Sequence, residues 1–349
     1  MSSLLNPKRL EELIARFACS RIAILGDFFL DKYLDIDPIL EEISVETGKP
    51  AHQAASVRCS PGAAGTVVSN LHALGAGTLH AIGFVGEDGE AWDLRKGLAG
   101  LGCSTDHLHA TPDRFTPTYM KPRNQNIVGL EGEHSRIDTK NRQTTPAAIE
   151  QAIMKSVTTL AGEVDAVIVM DQTEARDCGA VTGVVREYLG ALARERSQVV
   201  FWADSRRRIR EYRSMIIKAN EFEAVGNDDP RPGDTVDASE LQMAATHLRE
   251  DTGAPVFVTR GADGMCVTDP DWTPVPGVRV TSETDTTGAG DSATAGCVLA
   301  LCSGASCAEA AVVGNLVASI TVQQLATTGT ASPAQLQSQL AVWLQQNDV

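Results

Sequence analysis

The sequence predicts an α/β protein: a mostly parallel central sheet covered by helices on both faces, with a small antiparallel flap set apart from it. Three observations carry that expectation. Short apolar runs alternate along the chain with amphipathic helical stretches, the order expected of βαβ units. Glycines close several of these stretches, as Gly75 and Gly102 do. Two segments, residues 35–60 and 114–138, break the rhythm: they are polar, rich in Thr, Pro and charge, and unsuited to a central sheet.

Residues 22–26, Ile-Ala-Ile-Leu-Gly, read as a buried strand ending in glycine. A helix follows at 67–74, a strand at 79–85 and a helix at 90–101. Further on come a strand at 164–170, a helix at 181–194, a strand at 199–203, a short strand at 215–218 and a helix at 239–251. Residues 255–259 and 264–268 read as strands around a turn, and the helices 292–302, 308–324 and 333–346 complete the chain. Residues 118–123, Thr-Tyr-Met-Lys-Pro-Arg, look like an exposed strand, so 35–60 and 114–138 are expected to build the flap together as a lid. With no internal repeat and no Ser- or Gly-rich linker, residues 1–349 read as one main domain.

The chain has 349 residues and a formal net charge of -15, with a pI near 4.9. An acidic balance argues against nucleic acid as the main partner, because phosphate backbones need a basic footprint. It leaves room for an anionic substrate, which needs only a local positive pocket. No run of about 20 apolar residues predicts a membrane span. Residues 1–16 mix charge with Leu and Ile at helical spacing and lack the apolar core of a signal peptide, so a cytoplasmic protein is expected. The eight cysteines form no C-x-x-C pair and read as reduced, mostly buried thiols.

The most informative stretch is Asp285-Thr286-Thr287-Gly288-Ala289-Gly290-Asp291-Ser292, followed by an Ala-rich run. Small residues let consecutive backbone N–H groups turn inward at a helix N-terminus, where the macrodipole also favours an anion. A carboxylate beside a bound phosphate can take the proton of a hydroxyl as that hydroxyl attacks phosphorus. The local reading is phosphoryl transfer to an alcohol, with Asp291 as base; taken alone, Asp291 is equally readable as a helix N-cap. Gly288-x-Gly290-x-x-Ala293 also fits a dinucleotide fingerprint, but polar residues stand where that motif needs a strand. No G-x-x-x-x-G-K-[ST] run supplies a P-loop.

With this stretch, the chain resembles the ribokinase-like carbohydrate kinases, the PfkB family, from about residue 21 to 331. The same resemblance runs through Pro61-Gly62-Ala63-Ala64, Asn70 to Gly75, Ile82 to Asp88, Asn220-Glu221-Phe222-Glu223 and Val258 to Gly264. It implies a ribokinase-like three-layer sandwich with a β lid, using ATP and Mg²⁺, with K⁺ as a possible addition, to phosphorylate a sugar or sugar phosphate. By resemblance, Asp291 is the base, and the backbone of Gly288, Ala289 and Gly290 is the anion hole. Asp27 contacts a sugar hydroxyl, the Gly62 turn lets the main chain approach the sugar, and position 66, here Thr66, lines the sugar pocket. Asn220 and Glu223 tune Mg²⁺ and phosphate placement through water. Thr259, Gly261 and Gly264 shape the nucleotide's phosphate and ribose site, with Asn315 near the base. Asp285 and Thr287 stand where many relatives hold a monovalent cation, and a homodimer through the lid is implied.

Within the family, Gly26 to Tyr33 looks like the start of the bacterial heptose-7-phosphate kinase module, as do residues 43–50 and 121–125. That module is often fused to a nucleotidyltransferase, for which no residues are expected here. Ala63 and Thr66 depart from the usual Gly and Asn. Met170-Asp171-Gln172-Thr173-Glu174-Ala175 replaces a stretch that in heptose kinases ends in Lys-Gly, and 128–135 looks like an insertion. The departures bear on the sugar more than on the reaction.

Several residues keep two readings. Lys121 and Arg123 either grip a substrate phosphate or solvate an edge strand. Arg206, Arg207 and Arg208 either approach a nucleotide phosphate or begin a solvated helix. Asn220 and Glu223 either cap a helix or serve the metal. Of the two acids after the first strand, Asp27 reads as the sugar contact and Asp31 as structural. The seven histidines show no metal-ligand spacing. A non-catalytic binding relative and a kinase for a nucleoside or vitamin precursor are the alternatives.

Overall fold

The computed structural model describes residues 4–127, 130–325 and 328–347. The first three residues of the N-terminal stretch and the start of the 128–135 insertion lie outside them. Among the described residues the strands, in chain order, are β1 (Arg21–Gly26), β2 (Phe28–Ile36), β3 (Glu42–Ile43), β4 (Pro50–Ala51), β5 (Ala54–Ala63), β6 (Thr78–Gly86), β7 (Cys103–Thr111), β8 (Thr118–Asn124), β9 (Ile137–Thr139), β10 (Ala166–Asp171), β11 (Val200–Ser205), β12 (Ile216–Asn220), β13 (Val256–Thr259), β14 (Met265–Thr268) and β15 (Trp272–Val275). The helices are α1 (Pro7–Phe17), α2 (Ala64–Ala73), α3 (Gly89–Gly100), α4 (Ala147–Leu160), α5 (Gly183–Glu195), α6 (Glu221–Val225), α7 (Ala238–Thr252), α8 (Ala289–Cys302), α9 (Cys307–Thr321) and α10 (Pro333–Gln346).

The large sheet has the order β15-β14-β13-β12-β11-β10-β1-β6-β7. It is parallel from β13 through β7 and antiparallel only at β14 and β15. Alternation along β1 explains the layers. Ile22 and Ile24 join one apolar cluster with residues of α1, α2, α8, α9 and α10, whereas Ala23 and Leu25 join a second with α4, α5 and α7. The expected three-layer sandwich is therefore present. Helices α8 and α9 approach closely because Gly296 and Gly314 face each other: a Cβ on Gly296 would lie 3.2 Å from Gly314 Cα.

The small sheet has the order β5-β2-β8-β9. Pairs β2/β5 and β8/β9 are antiparallel, and β2/β8 is parallel. It takes in Phe28–Ile36, upstream of the expected start at residue 35, and β8 lies inside it between β2 and β9 rather than at an exposed edge.

Three elements go beyond the sequence reading. Strand β7 is half exposed and polar, so it lacks the apolar run of its neighbours. Strand β15 is four residues with a proline inside. Helix α4 buries Ile153, Val157 and Leu160 at helical spacing, a pattern that was legible. Of the cysteines, Cys103, Cys178, Cys266 and Cys297 are buried, Cys302 and Cys307 are half-buried, and Cys19 and Cys59 are exposed. Among the described residues no helix is long and apolar enough to cross a membrane.

Candidate active site

The parallel strands end along one edge, where ligands bind in open α/β sheets. Asp27 follows β1, Asp171 ends β10, Arg206 follows β11, Asn220 ends β12 and Thr259 ends β13. A cavity of about 450 Å³ opens there between the small sheet, the loop 172–179 and the turn before α8.

That turn carries the strongest sequence signal. Asp285 Oδ1 accepts from the Thr287 N–H at 3.0 Å, which tightens the turn. Gly288, at φ 77°, is the N-cap of α8 and lies against the Thr66 methyl. Asp291 therefore sits in the first turn of the helix, not at the N-cap, and among the described residues nothing donates to its carboxylate or pairs with it. The Ala289 N–H is turned to the Thr286 carbonyl at 3.1 Å, which removes it from the expected anion hole in this conformation. Gly288 and Gly290 keep N–H groups with no backbone partner among the described residues. Thr287, Gly288 and Asp291 line the cavity.

Beneath Gly290 lies a residue the sequence reading passed over. Lys218 of β12 is buried, with its Nζ 2.8 Å from Asp204 Oδ2 on β11 and 3.3 Å from where a Gly290 side chain would begin. Burial works against its charge, but Asp204 and Glu223 hold Lys218 protonated, above the ordinary lysine range. Half-buried Asp291 feels the same group: burial and the Asp204 carboxylate push it up to about 7, opposed by Lys218 and Arg206. A carboxylate poised there can accept a proton near neutrality. Arg206 lines the cavity, paired with Glu174 at 3.5 Å. Arg207 instead reaches Asp229 on the surface, and Arg208 is buried against Asp171.

On the small-sheet side stand the two acids Asp27 and Asp31. Asp27 lines the cavity, but its carboxylate accepts from the N–H groups of Gln172 (2.9 Å), Thr173 (2.7 Å) and Ala180 (2.7 Å). It is an anchor for the loop 172–180. Asp31 also lines the cavity and pairs with Lys121 at 2.7 Å, and Lys121 donates to the Tyr33 hydroxyl at 3.3 Å. Thr66 lines the cavity as expected. Two expected contacts are corrected. Gly62 does not line the cavity: it lies in β5, and a side chain there would collide with the Asp31 carboxylate. Arg123 turns to Asp35 at 3.6 Å and to the Ile127 carbonyl, because Asp35 is the nearest acid on the paired strand β2. Ala63 does line the cavity, and it holds φ 51° and ψ -116°, a conformation suited to glycine.

The expected nucleotide residues lie outside this cavity, farther along the same strand ends. Asn220 and Glu223 form a reciprocal capping box on α6, with both bonds at 2.8 Å, so capping accounts for one oxygen of each. Thr259 pairs in register with Asn220 and donates to the Ala219 carbonyl at 3.3 Å. Gly261 (φ 54°) and Gly264 (φ 93°) make the turn after β13, and Gly264 packs against Gly277 too closely for any side chain. Buried Asn315 donates from its amide nitrogen to the carbonyls of Val275 and Pro276 at 3.1 Å each, holding the chain where β15 ends. Among the described residues no cluster of three or more His, Cys, Asp or Glu could hold a metal by itself. A Mg²⁺ ion would fit here only with the nucleotide's own phosphates as ligands.

Comparison with known proteins then gives the class. The family model described as pfkB family carbohydrate kinase matches residues 30–335, and the chain belongs to that family. It is 29% identical over 334 residues to the bifunctional protein HldE of Desulfatibacillum aliphaticivorans; that match covers 94% of this chain and 64% of the relative's length. Among solved structures it is similar to Escherichia coli phosphofructokinase-2 in complex with potassium (TM-score 0.69, 18% identity, 93% of this chain and 99% of that one). It is also similar to the ribokinase of Cryptococcus neoformans var. grubii in complex with ADP (TM-score 0.61, 19% identity, 93% and 99%). The fold is ribokinase-like.

Proposed function

We propose that this chain transfers the γ-phosphoryl group of ATP to a hydroxyl of a sugar or sugar phosphate. The observation that carries this reading is the Asp291 carboxylate, unpaired among the described residues and pushed up to about 7, at the wall of one cavity beside the Gly288 and Gly290 N–H groups, which have no backbone partner among those residues. Bound MgATP would supply the transferable group and the metal that neutralises its charge.

The chain's own residues divide the remaining work. The Gly288 and Gly290 N–H groups, with the positive end of α8 and Lys218 behind them, receive negative charge as it spreads over the phosphoryl oxygens. Asp291 takes the proton of the attacking hydroxyl. Arg206 sits where it can offset charge between the two reactants. Asp31, Thr66 and the loop anchored by Asp27 orient the acceptor. Asn220 and Glu223 act on the metal through water, Thr259, Gly261 and Gly264 border the nucleotide, and Asp285 and Thr287 hold K⁺ where one is used. Exposed apolar side chains around the small sheet, Ile43, Val45 and Val57 among them, support pairing of two copies through it.

ADP release measured across paired free and phosphorylated sugars tests the reading. A sugar-dependent rate with a new phosphate ester on the acceptor is expected. Folded protein that releases no ADP with any acceptor would contradict it.

A further inference from the structure

Resting on the kinase reading, we infer that Asn141, seconded by Arg114, is a positioning residue: it ties the half of the small sheet built from β8 and β9 to the core, and so sets where the acceptor lies relative to Asp291. The chain leaves the core for this half between β7 and β8 and returns between β9 and α4. A tie between the two legs fixes the angle of both strands. The Asn141 side chain makes that tie. Its Oδ1 accepts from the Phe115 N–H at 3.0 Å, and its Nδ2 donates to the Phe115 carbonyl at 2.9 Å. A side chain of the returning leg thus pairs both backbone groups of a residue in the outgoing one, which takes a donor and an acceptor side by side, as in an amide. Arg114 adds a second tie by donating to the Thr144 carbonyl.

Each leg is anchored in its turn. Thr116, beside Phe115, donates its N–H and its hydroxyl to the Asp88 carboxylate at 2.8 and 2.7 Å, and Asp88 is the N-cap of α3. On the returning leg, Thr145 donates its N–H to the Asp177 carbonyl and its hydroxyl to the Gly179 carbonyl, at 2.7 Å each. That is the loop whose N–H groups Asp27 takes. Asn141 therefore joins two anchored chains, one on α3 and one on the loop 172–180. Strand β8 begins at Thr118 and carries Tyr119 and Lys121 to the cavity; β9 ends at Thr139 and carries Arg136 there. A pivot of this wall by about 1 Å would take the acceptor hydroxyl out of line with the phosphoryl group. The ties join Phe115 to Asn141 and Arg114 to Thr144, away from α8 and from the ends of β11, β12 and β13, so the nucleotide side is left as it is.

The test compares Asn141→Ala, Arg114→Ala and their combination with the wild type, using MgATP and paired free and phosphorylated pentoses, hexoses and heptoses as acceptors. In Asn141→Ala, kcat/KM for the acceptor should fall by about 10- to 100-fold while KM for ATP stays within about twofold. An equal loss on the ATP side would overturn the inference. Asn141 lines the cavity and Arg114 does not, so Arg114 separates positioning from contact. Arg114→Ala should lower acceptor kcat/KM by about 3- to 10-fold, and the double variant should lose less than the product of the single losses. A loss confined to Asn141→Ala would make Asn141 a direct contact and overturn positioning. Hydrogen exchange of the ligand-free chain reads the tie itself. Asn141→Ala should speed exchange about tenfold over residues 115–124 and 136–145 and leave β6 and α8 unchanged. Asn141→Asp keeps the side-chain volume and the accepting oxygen but loses the donor, and serves in the same assays where the alanine variant does not fold. Unchanged exchange in the folded variants would overturn the inference. If the wild type turns over no acceptor and exchange still rises as stated, the kinase reading fails and the tie stands.

Discussion

At the scale of single residues, the proposed role of Asp291 as base predicts the pH behaviour. Burial and Asp204 raise its proton affinity, so the base is ionised only above about 7 in the free enzyme. The kcat/KM profile should therefore rise about tenfold per pH unit below 7 and level off above it; a flat profile from pH 5 to 8 would contradict the assignment. The same shift acts on stability. A folded-state value raised above 3.8 means the contribution is full at low pH and lost as pH rises through about 7. Asp291→Asn should thus reduce the fall in melting temperature across that window. Ala63 offers a second residue-scale prediction. At φ 51° it carries strain of about 1–3 kcal/mol, partly offset in a glycine variant by chain entropy of about 0.4–1 kcal/mol. Ala63→Gly should stabilise the protein by roughly 1 kcal/mol in denaturant titration, and a destabilised variant would show that the position is not strained. The turn before α8 and its neighbouring acid were legible because residues 285–292 are contiguous in the chain. Lys218 was not, because its partner Asp204 and its neighbour Gly290 come from other elements.

At the scale of elements, the loop 172–180 is held from both sides. Asp27 takes three of its N–H groups, and the Arg208 guanidinium donates to the Thr173 and Glu174 carbonyls while forking onto Asp171 at 2.7 and 3.2 Å. Ser205 and Tyr212 complete the Asp171 shell. Arg208→Ala would leave the Asp171 carboxylate buried without its cation, and should cost about 3–5 kcal/mol in unfolding free energy. A loss below about 1 kcal/mol would show that the clamp carries little. The clamp separates Asp27, which meets this loop, from Asp31, which meets Lys121, a difference the sequence does not carry. Both acids follow the same strand, and the difference lies in which one meets loop amides about 145 residues away. Most strands and helices were legible because strands buried on both faces read as apolar runs. Strand β7 was not, because its half-exposed side chains carry no such run. Helix α8 was read three residues short because Ala289 and Gly290 give no cap signal.

At the scale of the whole molecule, the two sheets divide the labour. In the proposed reading the large sheet supplies the phosphoryl-transfer end and the small sheet the acceptor wall, while Val57 of β5 and Ile43 and Val45 of the β3–β4 hairpin are exposed. Light scattering should give twice the monomer mass, and Val57→Lys/Ile43→Lys should shift it toward the monomer; a monomeric wild type would refute the pairing. The acceptor's identity stays outside sequence reach because the cavity wall is assembled from 27–31, 119–121, 136–142 and 172–179 across two sheets. The chemistry is the central claim, and Asp291→Asn tests it most directly. Steady-state ADP release with the best acceptor should fall by about 10²–10⁴-fold while calorimetric ATP affinity stays within about threefold. Turnover within tenfold of wild type would contradict Asp291 as the base.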